Sequence, residues 1–378
     1  MDLTAKQTVL QRAAAFAGHN AVLLAAAGAA LVTAFFVPPD GAYLGYFDCK
    51  TLACLFCVLA VVCALKDVRF FSALAERIVR RFRTARSSVL ALVYITFIGS
   101  MLIANDMALL TFLPLGYFAL ETTGKQKYMA FTFIMQNIAA NLGGMLTPFG
   151  NPQNLYLYTR FRIPDAEFLS VMAPHFLFAV ALITVCCLLF VRAEPLSLPE
   201  GTTALDRRRT AVYLALFALA VVMVFRILPY WIGLIVIPAV LLFLDRQALR
   251  EVDYPLLFTF VFFFIFSGNM ARIPAVSGFF SSLLERSALV VSALSCQVIS
   301  NVPTAILLSR FTENYRALLV GVNIGGVGTL ISSLASLITF REYVRRNQGK
   351  GGRYIALFSL FNFAFLFLML GFALLLSR

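Results

Sequence analysis

The sequence predicts an all-α polytopic membrane protein made of two inverted repeats, each with a re-entrant helical hairpin and a broken transmembrane helix. Three observations carry this. The first is composition: 61% of the 378 residues are hydrophobic and 13% charged, with a mean hydropathy of +0.87. Soluble domains do not carry that balance. The second is a repeated pair of polar, Asn- and Gly-rich runs inside apolar stretches. Ile103–Leu110 and Asn141–Leu155 in the first half recur, degraded, as Ile299–Ile306 and Asn323–Leu337 in the second. Asn105 matches Asn301, and Asn141, Gly143, Gly144 and Thr147 match Asn323, Gly325, Gly326 and Thr329 at one fixed offset. The third is length. The apolar region Ser88–Leu120 has 33 residues; as one helix it would be about 50 Å long, against a hydrocarbon core of about 30 Å. Two half-helices that enter and leave on one side fit better.

The elements follow in order. Met1–Gly18 is polar, carries Lys6 and Arg12 and has no cleavable signal pattern; Ala21–Val37 reads as the first span. Thr51–Leu65 is the second. Asp67–Arg83 sets Val68, Phe71, Leu74, Ile78 and Phe82 at helical spacing among basic residues. That is the pattern of a helix lying in the interface beside acidic headgroups. A hairpin at about 88–120, a broken helix at 128–158 and the span Phe168–Val191 complete a first repeat, 1–191. The linker 192–227 holds the polar stretch Glu194–Leu205 and one extra span, Thr210–Phe225. The second repeat, 228–378, has spans Leu228–Leu244 and Tyr254–Ser267, then a less basic surface helix, Ile273–Leu284. A hairpin at about 287–309, a broken helix at 315–340 and the span Tyr354–Leu376 follow. The second hairpin region has only 23 residues. The internal repeat, not its length, is the reason to read a hairpin there.

Charge sets the orientation. With the N-terminus cytoplasmic and both hairpins re-entrant, inside loops hold 22 of the 31 Lys and Arg, as the positive-inside rule requires. The C-terminus falls outside, and the odd linker span inverts the second repeat. The formal charge of +13 is therefore read as cytoplasmic loops, not as nucleic-acid binding. The seven cysteines form no framework; Cys54, Cys57, Cys63, Cys186 and Cys187 sit in apolar spans as small side chains. His19 and His175 lie near span ends and build no metal cluster, so no cofactor is expected beyond a sodium ion.

Broken helices direct N–H groups and carbonyls inward, where together they hold an anion and a small cation without Lys or Arg. Asp106 is the ionisable residue placed near the midplane. Asn105, Asn151, Gln153, Asn154, Thr147, Ser300, Asn301, Thr304, Asn323, Thr329, Ser332 and Ser333 supply neutral donors and acceptors. Each has a plainer reading. The paired glycines serve close helix packing, Pro148, Pro152 and Pro303 serve kinks, and Asn, Ser and Thr serve as caps. Asp106 is either an N-cap or a coupling group.

At these residues the chain resembles the ion-transporter superfamily of arsenite permeases, NhaD-type sodium/proton antiporters, citrate transporters and divalent anion:sodium symporters. Within it, the chain is most similar to the ArsB/NhaD-like bacterial inner-membrane permeases. The resemblance runs over essentially the whole chain. It is carried by Asn105-Asp106, Leu146–Asn154, Gln297–Thr304 and Val322–Gly326 together. It implies that Asn105, Thr147, Gly150 and Asn151 frame one coupling-ion site, to which the reading of the residues adds Asp106, and Ser300, Asn301, Asn323, Gly325 and Ser332 another. Substrate would meet Asn105, Asn151, Asn154, Asn301 and Thr304. It also implies a homodimer with an elevator-type motion in the bacterial inner membrane. This chain departs from the symporters at the first tip, where Ala-Asn-Asp stands in place of Ser-Asn-Thr.

The sequence therefore reads as a secondary transporter for a small inorganic or organic anion, a dicarboxylate, citrate or an oxyanion, coupled to sodium or protons. A sodium/proton antiporter with Asp106 as its exchange site is the alternative, and a passive channel is a third reading. An intramembrane enzyme would need a catalytic pair within a span, and the spans hold none.

Overall fold

The computed structural model describes residues 21–196 and 205–377. Lys6, Arg12 and His19, and most of the polar linker stretch, lie outside these residues, as does the side chain of Ile78. The protein is an all-α polytopic membrane protein. Its helices are α1 (Ala21–Phe36), α2 (Cys49–Asp67), α3 (Phe70–Val79), α4 (Ala85–Ile103), α5 (Asn105–Thr122), α6 (Met129–Gly143), α7 (Pro152–Arg160), α8 (Asp165–Phe190) and α9 (Arg207–Val224). Then come α10 (Tyr230–Leu244), α11 (Arg246–Arg250), α12 (Tyr254–Arg272), α13 (Pro274–Ile299), α14 (Asn301–Leu308), α15 (Tyr315–Ile324), α16 (Leu334–Arg346) and α17 (Gly351–Leu376). Among the described residues, six stretches are long and apolar enough to cross a bilayer: α2, α4, α8, α13, α17 and Arg246–Arg272. α1 and α10 are apolar but only 16 and 15 residues long.

The expected breaks occur where the polar runs lie. Within 88–120 the helix stops at Ala104 (φ 63°, ψ 150°) and restarts as α5. Within 287–309 it stops at Ser300 (φ 73°, ψ 160°) and restarts as α14. Both tip residues thus occupy a region that L side chains avoid, at about 1–3 kcal/mol each. The expected broken helix 128–158 is α6, a short 3-10 turn Gly144–Leu146, and α7. The expected 315–340 is α15 and α16, with irregular chain between.

The surface arms differ from expectation in extent. α3 begins only at Phe70 because Arg69 is left-handed (φ 56°) and separates it from α2. The arm expected at Ile273–Leu284 runs straight into its hairpin; the sole interruption is Ser287, in extended backbone.

The two ends of the α4–α5 pair are held together. Thr84 pairs with Pro195 in an isolated β-bridge, and Arg86 Nε donates to Val191 O at 2.7 Å. Lys125 and Lys127, just past α5, donate to Glu194 at 2.8 and 2.5 Å, and Tyr128 OH adds a third bond at 3.0 Å. These donors hold the Glu194 carboxyl down at about 2. For α13–α14, Phe280 before the Ser287 break stacks on Phe311 beyond α14, with centroids 5.1 Å apart. Each pair is therefore a helical hairpin with adjoining ends.

Candidate substrate and ion site

Close packing brings the tips to the broken helices. In the first half Gly143 lies where a Cβ would be 2.3 Å from Phe97 O and 2.6 Å from Ser100 Oγ. At the matched positions, a Cβ on Gly325 would be 2.9 Å from Ala293 O and 2.7 Å from Cys296 Sγ. Thr147 Oγ1 donates to Met101 O at 2.6 Å, and Thr329 Oγ1 donates to Gln297 O at 2.9 Å. At each tip the Asn side chain accepts from the next backbone N–H: Asp106 N to Asn105 Oδ1 at 3.0 Å, Val302 N to Asn301 Oδ1 at 2.9 Å. The degraded sequence repeat thus corresponds to repeated contacts.

The halves meet in a lattice of buried amides. Asn105 Nδ2 donates to Asn141 Oδ1 at 3.2 Å. A Cβ on Gly326 would sit 3.3 Å from that same Asn141 Oδ1 and 3.2 Å from Asn301 Nδ2. Gly326 therefore separates the two tips. Asn151 Nδ2 donates to Asn141 O and to Asn323 Oδ1, both at 3.3 Å, and Asn323 Nδ2 donates to Asn154 Oδ1 at 2.6 Å. Asn154 Nδ2 in turn reaches the carbonyls of Gly144, Met145 and Thr147 at 3.1–3.3 Å. Fully buried amides need such partners, because an unpaired one costs about 1–3 kcal/mol.

Each expected site residue has a definite place. Asn105, Asn151, Asn154 and Asn323 join one lattice through Asn141. The Asn301 side chain bonds within its own tip and faces Gly326. Gly150 closes the turn before α7, where a Cβ would be 2.5 Å from Gly144 O and 2.6 Å from Thr147 Oγ1. Ser300 Oγ and Asn301 N both bond Ser332 O, at 3.3 and 3.0 Å, so the second tip is tied to the chain after α15. The hydroxyls of Thr304 and Ser332 are spent on backbone, the first on Ser300 O at 2.7 Å and the second on Gly326 O at 2.9 Å. Gly325 meets α13 and not the Asn301 side chain. Asn323 reaches across to α7 and not to its own tip.

Three acceptors among the candidate residues are left over. Asp106 Oδ1, Asn151 Oδ1 and Gln153 Oε1 are buried without a hydrogen-bond partner. Oxygens without donors suit a small cation or a proton. The donors an anion would meet, the Nδ2 groups of Asn105, Asn151, Asn154 and Asn323 and the N–H groups of Asp106, Asn301 and Val302, are engaged within the protein, so an anion takes its place by displacing those bonds.

Sequence reasoning missed a second layer. Asn137 Nδ2 donates to Ser336 Oγ and Asn362 Oδ1, both at 3.3 Å, and Asn141 Nδ2 donates back to Asn137 O at 3.0 Å. Gln297 Nε2 braces the second break through Ala293 O, Gly325 O and Val327 O at 3.0–3.1 Å. The signal for the first was Asn137 four residues before Asn141, on one face of α6.

The citrate transporter family profile (CitMHS) matches residues 13–315. The chain belongs to the citrate transporter family. It is 31% identical over 293 residues to an uncharacterized transporter of Methanocaldococcus jannaschii, covering 77% of this chain and 80% of the relative. It is 29% identical over 320 residues to the inner membrane protein YbiR of Escherichia coli, covering 81% and 83%. A shorter match, 30% over 152 residues, relates it to a silicon efflux transporter of Oryza sativa subsp. japonica, covering 40% and 30%. Membership of the citrate transporter family makes the protein a membrane transporter and not an enzyme. The family profile spans both hairpins, α6 and α7; the chain after residue 315, with α15 and Asn323, lies past its end.

Proposed function

We propose that the protein is a secondary active transporter that moves a small anion, coupled to sodium or protons. The anion lies between the two hairpin tips, against the amide lattice. The observation that carries the reading is the convergence at Gly326 of two tips with the same backbone conformation, beside buried acceptors that lack donors. On this reading 1–191 and 228–378 are inverted repeats joined by 192–227, and both hairpins are re-entrant. The adjoining ends of each hairpin support this over a single broken span, whose ends would lie on opposite sides. The coupling ion sits at Asp106 and Asn151, with Asn105, Thr147 and Gly150 around them, and Ser300, Asn301, Asn323, Gly325 and Ser332 frame the second ion position. Substrate meets Asn105, Asn151, Asn154, Asn301 and Thr304. The transporter works as a homodimer in the bacterial inner membrane with its N-terminus cytoplasmic and its C-terminus outside, and moves like an elevator. The buried amides and the family membership support a carboxylate or oxyanion as the substrate class.

A second reading, sodium/proton antiport at Asp106, is favoured by the unpartnered Asp106 Oδ1. Proteoliposomes separate the two. The proposal expects labelled citrate uptake driven by an inward sodium or proton gradient, and expects Asp106→Asn to uncouple uptake from that gradient. Sodium-driven proton efflux with no anion flux for citrate, succinate, sulfate, phosphate or arsenite would establish the antiporter instead.

A further inference from the structure

The end of the molecule that carries Tyr46 gathers cations that the lattice does not use. α7 and α14 both start at the lattice and run away from it side by side, joined by the bond between Tyr156 OH and Ser309 Oγ at 2.8 Å. Helices of this length span about 12 Å. Arg160 ends α7, and Arg310 follows α14. Arg226 comes in from the turn after α9, lays its guanidinium 4.0 Å over the Tyr158 ring and donates to Tyr158 O at 2.5 Å. Arg310 donates to Tyr46 O at 2.9 Å. Arg226 and Arg162 bear electrostatically on Lys50 at the start of α2, and Arg160 and Asp48 bear on Arg310.

The acids nearby are already engaged. Both Asp48 oxygens are taken by Thr51, at 3.0 Å from its N–H and 2.7 Å from its hydroxyl. Asp165 accepts from Tyr158 OH, and Glu167 from Tyr315 and Arg316. Cations at helix C-termini account for the positions of Arg160 and Arg310 through the helix dipole. They do not account for Arg226 Nε and Arg310 Nε, which are both buried and without a partner. A buried guanidinium N–H lacking an acceptor is rare, and an oxyanion is the acceptor that its geometry fits best.

We propose that Arg226 and Arg310, with Lys50 beside them and Arg160 and Arg162 at the exposed rim, form a second anion site. It is a vestibule that collects a soluble oxyanion one short helix away from the amide lattice. This rests on the reading of the substrate as an anion. The vestibule raises the local anion concentration and hands the ligand along α7 and α14, so its effect falls with ionic strength.

Equilibrium dialysis of labelled sulfate against the full chain in lipid-free detergent tests this without requiring transport. Wild type binds sulfate, and Arg226→Gln with Arg310→Gln weakens binding at least about tenfold, the loss expected for charge-assisted hydrogen bonds. Asn105→Ala leaves the arginine-dependent part of the binding in place. The exposed pair Arg160→Gln and Arg162→Gln folds whether or not the buried pair does; it weakens binding at low salt and has no effect at 1 M salt. No sulfate binding by wild type, unchanged binding in every Arg variant, or loss with Asn105→Ala alone overturns the vestibule. So does displacement of sulfate by phosphatidylglycerol, since the occupant is then a lipid headgroup. Citrate uptake without sulfate binding leaves the transport reading standing and the vestibule refuted; sulfate binding without any anion uptake does the reverse.

Discussion

Gly143→Ala is the substitution whose cost is best fixed by the geometry. A Cβ there lands 2.3 Å from Phe97 O, 2.6 Å from Ser100 Oγ and 3.0 Å from Phe97 C. Ordinary contact is about 3.5 Å, so α4 and α6 must part by about an ångström. Phe97 O is backbone and has no rotamer to swing aside. Overpacking costs about 1–3 kcal/mol and occasionally more, and a backbone clash belongs at the upper end. Helix propensity works the other way: α6 is helical through Gly143, and Ala gains about 1 kcal/mol over Gly. The net expectation is a loss of about 2 kcal/mol. Gly371 in α17 is the control, because a Cβ there meets nothing within 4 Å; Gly371→Ala should gain up to about 1 kcal/mol. Gly325→Ala should fall between them, since its nearest atom is the Cys296 side chain at 2.7 Å. Equilibrium unfolding of the purified protein in detergent ranks the three. Parting α4 from α6 also stretches the Asn105–Asn141 bond of 3.2 Å, so transport should drop with stability. Gly143→Ala as stable as Gly371→Ala would refute the close-approach argument.

Ala104→Gly should stabilise by about 1 kcal/mol, because relief of about 1–3 kcal/mol of strain exceeds the unfolded-state entropy of glycine; a lowered unfolding midpoint would contradict it. Asn154→Leu and Asn323→Leu should couple by about 1 kcal/mol or more in a double-mutant cycle, since they share the 2.6 Å bond. Strict additivity would mean that this bond holds nothing together. Glu194→Gln should destabilise at neutral pH by freeing the α5 end of the first hairpin. The folded Glu194 carboxyl sits at about 2, below its ordinary 4.5, so its contribution is complete above about pH 4.5 and lost as pH falls towards 2. The midpoint gap between wild type and Glu194→Gln should therefore be flat from neutral pH to about 4.5 and close below it; a gap that widens on acidification would contradict the sign.

Much of the architecture was legible because lipid penalises irregular backbone. The Asn-rich runs at Asn105 and Asn301 had to be breaks, and the 33-residue Ser88–Leu120 had to fold back. The matched Gly143 and Gly325 sit against matched carbonyls of the preceding helices. Partner choice was not legible. Asn323 lies in the second repeat but bonds Asn154 and Asn151 of the first, and nothing local in sequence specifies which buried amide another will face. Asn137 and Asn362 escaped for the same reason, since each looks like a lone polar residue in an apolar helix. The start of α3 depended on a left-handed Arg69, a conformation that an arginine does not advertise.

Labelled citrate uptake into proteoliposomes, under an imposed sodium or proton gradient, tests the central claim most directly when wild type is compared with Asn105→Ala and Asn301→Ala. The account predicts gradient-driven uptake by wild type. It also predicts loss of uptake in each variant, with folding and insertion retained, because Asn301 faces Gly326 directly and Asn105 reaches it through Asn141. Wild-type uptake by both variants would contradict it, and would reduce the two tips to capped turns.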